Sequence, residues 1–586
     1  MKEILKAWRT KVFEAVREAA ERAGIDSREL QPEQLIIETP PEPEFGDLGF
    51  PMFPFARLFR NSPAAIASAV KQMLDAASGE GDIRVQGPYL NVFLPRAATS
   101  EKILRRVIEE GDGYGANSHL QGKRVMIEFS CPNTNKPLHL GHLRNDAIGI
   151  GLSNLLKENG AEVLKVNLIN DRGIHICKSM IAYLKFGQGK TPESEGVKGD
   201  HFVGDYYVKY SSWEKEEPTA EEQARDLLRK WEAGDPDTYE LWKTMNQWAV
   251  TGIEEAYRRT GVSFDRVYRE SETYASGREQ VKAGLKRKVF KREEDGSVTI
   301  DLTDIDLEKR VLLRSDGTSL YVTQDIGTAI QRYEDWPFDR LIYVVGAEQE
   351  YHFKVLFHIL KRLGYEWADN LYHFAYGMVN LPDGRMKSRE GTVVDADDLL
   401  EELTRLAARE IDEKGRETEV DDPCATADAI ARAAVNYYLL SVSPGKDMIF
   451  NPAESIAFNG NTGPYLQYTG ARLRSMIRKF EDNAAAFDGG RVDTRLIESG
   501  DEWAVLKHLG SYPGVVEDAA DNLNPTALAN HLHNLAKAYS RYYHDNPVLH
   551  NKEIDLVHTR IAVAAAVVQV LRNGFRILGI PFLEKM

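Results

Sequence analysis

The alternation of apolar and polar positions changes character three times along the chain. Residues 1–118 combine an amphipathic helix at MKEILKAWRTKVFEAVREAAERAG, a Pro-rich turn, a helix over Pro63–Ala77 and two strand-like runs, DIRVQG and YLNVFLP. This mixture predicts a small α+β domain. From Lys123 short apolar strands alternate with helices: RVMIEFS, a helix from Gly141 to about Asn159, then EVLKVNLIN. Such alternation implies a parallel sheet, because parallel neighbours need a crossover helix between them. Between about 171 and 300 the period is lost among charged, Trp-rich and Tyr-rich helical stretches, which reads as an insertion. It resumes with LYVTQD in the strand position, the helix IGTAIQRYED, the strand RLIYVVG, the helix YHFKVLFHILKRLG and the strand HFAYGMVNL. Beyond about 400 the period is almost wholly helical, which predicts a bundle.

The expected fold is α/β: a split Rossmann-like parallel-sheet domain at 119–400 carrying a helical insertion at about 171–300. An α+β domain at 1–118 precedes it, and a helical connector at 401–450 leads to an all-α helix bundle at 451–586. At 586 residues, 42% hydrophobic and 28% charged, the chain is long enough to bury several cores. The 45 Gly and 24 Pro are near average usage and exclude a collagen-like polymer. The purest apolar run, Ile561 to Leu571, is interrupted by Gln569 and falls short of the ~20 residues of a membrane span. The first helix is charged throughout, unlike a secretory leader. Three scattered cysteines, Cys131, Cys177 and Cys424, form neither a disulfide framework nor a CxxC knuckle and fit a reducing cytoplasm. A net charge of -16 opposes indiscriminate binding of nucleic acid. Residues 451–586 hold 14 Lys and Arg against 15 Asp and Glu, so that region repels a polyanion least.

The most informative stretch is EFSCPNTNKPLHLGHLRN, Glu128 to Asn145, running from the first sheet strand into a helix. Its HxGH core, His139 to His142, is expected by chance only roughly 0.03 times at this composition. The carboxyl end of a first parallel strand is where ligands settle, and a helix starting there aims free N–H groups at an anion. Gly141 lets a nucleotide approach the backbone, and the imidazoles of His139 and His142 donate to phosphate oxygens without a permanent charge. The pattern suits ATP. Local satisfaction of two helix-start histidines is the blander reading, and zinc lacks a third or fourth ligand nearby.

With its context this stretch closely resembles the signature region of class I aminoacyl-tRNA synthetases, and EFSxPN and HLRN resemble the arginyl family within that class. FGDLGFPMFPFAR and QGPYLNVFL resemble the family's additional N-terminal domain. NYYLLSVSPGKDMIF, GPYLQYTGARL and QVLRNGFRILGIPFLEKM resemble its helical anticodon-binding domain. The resemblance implies activation of arginine by ATP with Mg²⁺, then transfer to the 3′-terminal ribose of tRNA(Arg), by an enzyme expected to be a cytoplasmic monomer that binds neither membrane nor DNA. The second class signature falls at Gly384 to Thr392, where only Met386 agrees in place; Lys387, Ser388 and Arg389 make it a cationic loop suited to a departing pyrophosphate. In the family a lysine ahead of the first signature substitutes for the loop lysine, and Lys136 is so placed.

The family pattern further implies Glu128, Ser130, Asn133, Tyr321 and Asp325 for arginine, with Asn133 at the α-amino end, because a guanidinium must meet carboxylates. Asp325 could equally cap the following helix, and His352 could face ATP or cap its own helix. Tyr465, Gln467, Tyr468 and Arg472 are the candidates for unstacked anticodon bases, with a bundle core as the alternative for the tyrosines. The basic run Arg278 to Arg292 suits an acceptor stem or a solvated helix face. Three rivals stay open: a class I synthetase for another amino acid, a smaller HxGH nucleotidyltransferase, and an inactive RNA-binding relative.

Overall fold

The computed structural model describes residues 1–76, 81–315, 317–318, 320–380, 382, 394–413, 420–483, 487–549 and 551–586. The N-terminal strands β1 (Leu48–Pro51), β2 (Asp82–Gln86) and β3 (Tyr89–Phe93) form an antiparallel sheet in the order β1-β3-β2. Then come β4 (Arg124–Glu128), β5 (Glu162–Ile169), β6 (Arg266–Arg269), the short antiparallel trio β7 (Lys291–Arg292), β8 (Val298–Ile300) and β9 (Arg310–Leu313), and finally β10 (Arg340–Gly346) and β11 (Leu371–Tyr376). The main sheet is wholly parallel, ordered β11-β10-β4-β5-β6. The chain winds outward from β4 through β5 to β6, then returns to the other side of β4. The switch point therefore lies between β4 and β10, and in open parallel sheets ligands lodge there, at the carboxyl ends of the strands.

Two expectations about this sheet need correction. LYVTQD is not a strand: Tyr321–Asp335 is one helix, and its buried Val322, Ile326, Ala329 and Ile330 share one face at helical spacing. The β-branched start disguises a period that only burial reveals. The stretch 171–300 is also not wholly an insertion, because β6 pairs with β5 as an edge strand of the main sheet. Its four residues include a single buried side chain, too little pattern to read.

The helices Glu270–Lys286 and Tyr321–Asp335 meet backbone to backbone. A β-carbon at Gly277 would sit 1.9 Å from the Thr323 carbonyl oxygen, and one at Gly327 would sit 2.5 Å from the Gly277 nitrogen. This close approach fixes the spacing between the first turns of the two helices, where the acidic residues of the site stand.

By internal contacts one compact unit comprises residues 1–116, 469–518 and 530–573, and a second comprises 117–468, 519–529 and 574–586. The N-terminal segment thus shares its unit with C-terminal helices: Asp47 accepts the Trp503 indole N–H at 2.7 Å, and Tyr114 donates to the Leu509 carbonyl at 2.8 Å. The helix Ile554–Leu578 is long and apolar enough to cross a membrane by length and composition, and 72% of its most apolar window is buried within the protein.

Candidate active site

His139 caps the helix Leu140–Glu158. Its Nδ1 accepts the Gly141 N–H at 3.1 Å, and the His142 Nδ1 reaches back to accept the His139 N–H at 3.1 Å. With both Nδ1 atoms accepting, each neutral ring carries its proton on Nε2, where it is available to donate. The rings stand 3.9 Å apart. Burial, and then the nearby Lys136 charge, pushes the His139 pKa down to about 3; burial likewise holds His142 well below the ordinary histidine range. A β-carbon at Gly141 would lie 2.9 Å from the His139 ring, so glycine is what lets this ring fold over the helix start.

This motif is fastened on both sides. The Leu140 N–H donates to the Val394 carbonyl at 3.1 Å and the Ala396 N–H to the Leu138 carbonyl at 3.0 Å. Asp395 faces His201 at 3.6 Å, and Asp397 accepts from His201 at 3.1 Å and Lys198 at 2.5 Å. Arg144, fully buried, donates to the carbonyls of Gly377, Met378, Pro444 and Lys446. Asn145 donates to the Val344 carbonyl at 2.7 Å and accepts the Ser130 N–H at 2.6 Å. These two residues of the HLRN exit hold the frame of the site.

A cavity of about 760 Å³ opens at the switch point, lined by Asn133, Lys136, Glu270, Tyr321, Asp325 and His352 among others. Lys136 also lines a smaller cavity, about 210 Å³, beside His139. Tyr321 and Asp325 lie one turn apart, and His352 Nε2 is 2.6 Å from the Asp325 carboxylate. Burial alone would lower the His352 pKa; its bond to Asp325 and that residue's charge outweigh burial and raise it. Glu270 follows β6 directly and opens its helix, and burial followed by the Asp325 charge pushes its pKa up to about 8. Among the described residues neither Glu270 nor Asp325 forms an ion pair with a lysine or arginine. Two adjoining carboxyl groups so placed are a receptor for a hydrogen-bonding cation.

Residues 6–94 match the family described as arginyl tRNA synthetase N terminal domain, 104–452 match tRNA synthetases class I (R), catalytic domain, and 466–586 match the DALR anticodon binding domain. The arginine–tRNA ligase of Treponema denticola is 56% identical over 564 residues, 95% of this chain and 96% of that protein. The chain belongs to the arginyl-tRNA synthetase family. The arginine–tRNA ligase of Treponema pallidum is 49% identical over the full length of both chains. The solved arginyl-tRNA synthetase of Thermus thermophilus is similar in fold, with a TM-score of 0.77, 26% identity and coverage of 99% of this chain and 100% of that one.

Not every residue expected from the arginyl-tRNA synthetase pattern reaches the cavity. Glu128 is buried in an ion pair with Arg332, so its carboxylate is already occupied. Ser130 holds a left-handed backbone (φ 72°), and its hydroxyl lies 2.7 Å from the Tyr257 hydroxyl in the interior. Gln467 is fully buried and donates to the carbonyls of Ala429 and Pro581, so it supports the fold and offers nothing to RNA. Asp325 and His352 lie inside their helices, whose caps are Leu320 and Gln349, which overturns the capping readings. Tyr465 and Tyr468 are half-buried, and Arg472 is exposed, stacked 4.6 Å over the Tyr543 ring. The loop with Met386, Lys387, Ser388 and Arg389 lies outside the described residues. In the basic run, Lys282 pairs with Glu279 at 2.8 Å on a solvated face. Sequence reasoning misses Glu270; the signal is its place immediately after a sheet strand, hidden because that strand carries so little pattern.

Proposed function

We infer that the acidic cavity binds arginine and that the imidazole-capped helix start binds the phosphates of ATP. The chain charges tRNA(Arg) with arginine, by way of arginyl-adenylate, releasing pyrophosphate and AMP. The observation that carries the site reading is the buried Glu270 carboxyl beside the partly exposed Asp325 carboxylate, neither of them ion-paired to a lysine or arginine among the described residues, at the mouth of the parallel sheet.

In the first step an arginine carboxylate oxygen bonds to the α-phosphorus of ATP and the bond to pyrophosphate breaks. His139 and His142, neutral and preorganised, stabilise the charge that builds on the phosphate oxygens through their Nε2–H groups, aided by the helix N-terminus. Lys136 adds positive charge beside them. Asp325, Glu270 and Tyr321 hold the guanidinium, and Asn133 the α-amino end, so the carboxylate is aimed at the phosphorus. In the second step a hydroxyl of the tRNA's terminal ribose, the 2′-hydroxyl in our reading, attacks the activated carbonyl and AMP leaves. No protein nucleophile takes part.

Magnesium would travel with ATP, held by phosphates and water. The cluster Asp200, His201 and Asp397 has metal-like spacing, but the Lys198 ammonium already bonds Asp200 at 3.1 Å and Asp397 at 2.5 Å, so the donor set does not fit a cation. Tyr465, Tyr468 and Arg472 would touch the anticodon. Three free cysteines support a reducing, cytoplasmic setting.

The test is charging of total tRNA with each amino acid in turn, repeated with His142→Ala. Arginine alone should be charged, and the variant should lose about 10²- to 10³-fold in kcat with arginine affinity kept. Full activity in the variant would refute the role of the imidazoles.

A further inference from the structure

The HxGH helix start is braced from outside by residues 394–397, the first described residues after the second signature. Asp395 pairs with His139 as an antiparallel bridge, flanked by the bonds from Leu140 to Val394 and from Ala396 to Leu138. The segment thus runs beside the helix cap like a short strand. Its side chains do little to seat it, because Ala396 is the one buried residue of the four. Asp395 and Asp397 turn instead toward the start of the helix Gly199–Glu216. His201 Nε2 lies 3.1 Å from Asp397 and 3.6 Å from Asp395, and the Lys198 ammonium bridges Asp397 at 2.5 Å and the fully buried Asp200 at 3.1 Å.

That helix rests directly on the signature: a β-carbon at Gly204 would lie 2.9 Å from Pro137 Cδ and 3.5 Å from the Lys136 α-carbon. Helix, signature and residues 394–397 therefore close a triangle with direct contact on each side. Charge decides how firmly it closes. Three carboxylates, Asp200, Asp395 and Asp397, converge on the joint, and the Lys198 ammonium alone does not balance them; a protonated His201 supplies a second positive charge. The bond to Asp397, then the charges of Asp395 and Asp200, raise the His201 pKa against burial and the Lys198 charge. Arg259 donates to the Asp397 carbonyl at 3.3 Å from the far side, and Lys136, His139, Asp205 and Tyr207 share the small cavity with His201.

We propose that His201 is a positioning residue for ATP: as an imidazolium it clasps Asp395 and Asp397, and through them it keeps residues 394–396 laced to the helix start and the His139 ring in place for the phosphates. This rests on the reading that the helix start binds ATP. His201 acts through the pairing of Asp395 with His139, not on a reacting atom. The dependence on pH has a fixed sign. The clasp is complete below the ordinary histidine pKa of 6.5 and loosens as pH rises through the higher value of His201, so this contribution to ATP affinity is lost on the alkaline side. Arginine binding, set by Glu270 and Asp325, does not share it.

The experiment titrates the full-length protein with magnesium ATP, and separately with arginine, from about pH 6 to about pH 9 in wild type, His201→Ala and His201→Gln. Glutamine keeps a donor where Nε2 stands and carries no charge. At the acid end His201→Ala should bind ATP about 10-fold more weakly, as expected for loss of one charge-assisted bond, with arginine affinity unchanged. His201→Gln should fall between the two there and converge on wild type as pH rises; the ratio of wild type to this variant cancels the ionisation of ATP itself. In tRNA charging the KM for ATP should follow, and the KM for arginine should not. Unchanged ATP affinity in His201→Ala, an equal loss for arginine, or a ratio to His201→Gln that stays constant with pH would overturn the proposal. If circular dichroism shows that His201→Ala does not fold, the ratio to His201→Gln decides alone. A wild type that binds no ATP would refute the underlying reading instead.

Discussion

The protein buries a guanidinium of its own in one place and, in the reading proposed above, receives a second one in another, and the contrast explains the site. In the interior, its own Arg332 is buried against Glu128, with the Tyr268 and Tyr343 rings 5.0 and 5.8 Å away. In the cavity, Asp325, Glu270 and Tyr321 offer the same chemistry, carboxylates and a phenol, with no lysine or arginine paired to them among the described residues. Both sets hang on the helix Tyr321–Asp335, whose far end supplies Arg332 and whose first turns supply Tyr321 and Asp325. One acid is satisfied by the fold. Of the other two, Asp325 meets only the His352 imidazole and Glu270 has no ion pair among the described residues, and the cost of burying Glu270 shows in its raised pKa.

The comparison is broken most forcefully through Arg332. Arg332→Met should strand the Glu128 carboxylate in the interior and destabilise the unit by about 3–5 kcal/mol, read from urea unfolding. The double variant Glu128→Gln with Arg332→Met should recover most of that loss, because no lone charge remains. A single variant as stable as wild type would mean that the interior pair is not what fixes this helix.

Asp325→Asn should behave in the opposite way. Asparagine keeps an acceptor for His352 but removes the charge that meets the ligand, so arginine should bind more weakly by about 2 kcal/mol or more, roughly 30-fold. Stability should change little, because Glu270 is largely protonated near neutral pH and asparagine keeps the hydrogen bond to His352. Calorimetric titration with arginine and a parallel unfolding curve measure both quantities. A fall in stability matching that of Arg332→Met would erase the distinction between the two places.

How much of this is legible in the sequence follows from the kind of signal each residue leaves. The helix start announces itself, because HxGH after an apolar strand is rare and its chemistry is local: cap, glycine and imidazoles lie within four residues. Tyr321 and Asp325 emerge through the family pattern, although their run reads as a strand; burial of Val322 and Ile326 is a tertiary fact that a short β-branched stretch does not display. Glu128 misleads because a carboxylate at a strand end has the same sequence signature whether a ligand or Arg332, more than two hundred positions away, satisfies it. Glu270 and Gln467 fail in complementary ways. Glu270 follows a four-residue edge strand with almost no pattern, whereas Gln467 has the polarity of an accessible residue but serves two distant carbonyls.

The subtlest test uses protons. Glu270 has its pKa raised from the ordinary 4.5 to about 8 by burial and by Asp325, with the Arg172 charge opposing. Near neutral pH the folded, ligand-free protein therefore holds a proton on Glu270 that the unfolded chain has lost. The linkage sign is then fixed: the group's contribution to stability is complete below about pH 4.5 and declines as pH rises through about 8. An arriving guanidinium reverses the preference, because the ionised carboxylate now has a partner. Arginine binding at pH 7 should release close to one proton, and affinity should climb with pH until it levels near 8. His352, whose pKa the Asp325 bond and charge raise against burial, loses that support and sheds protons if arginine competes for that carboxylate. Titrations in two buffers of different ionisation enthalpy count the protons, and Glu270→Gln and His352→Gln apportion them. Glu270→Gln should remove most of the release; a variant that still sheds a full proton would place the titrating group elsewhere, and a wild type that sheds none would mean that Glu270 is already charged before its ligand arrives.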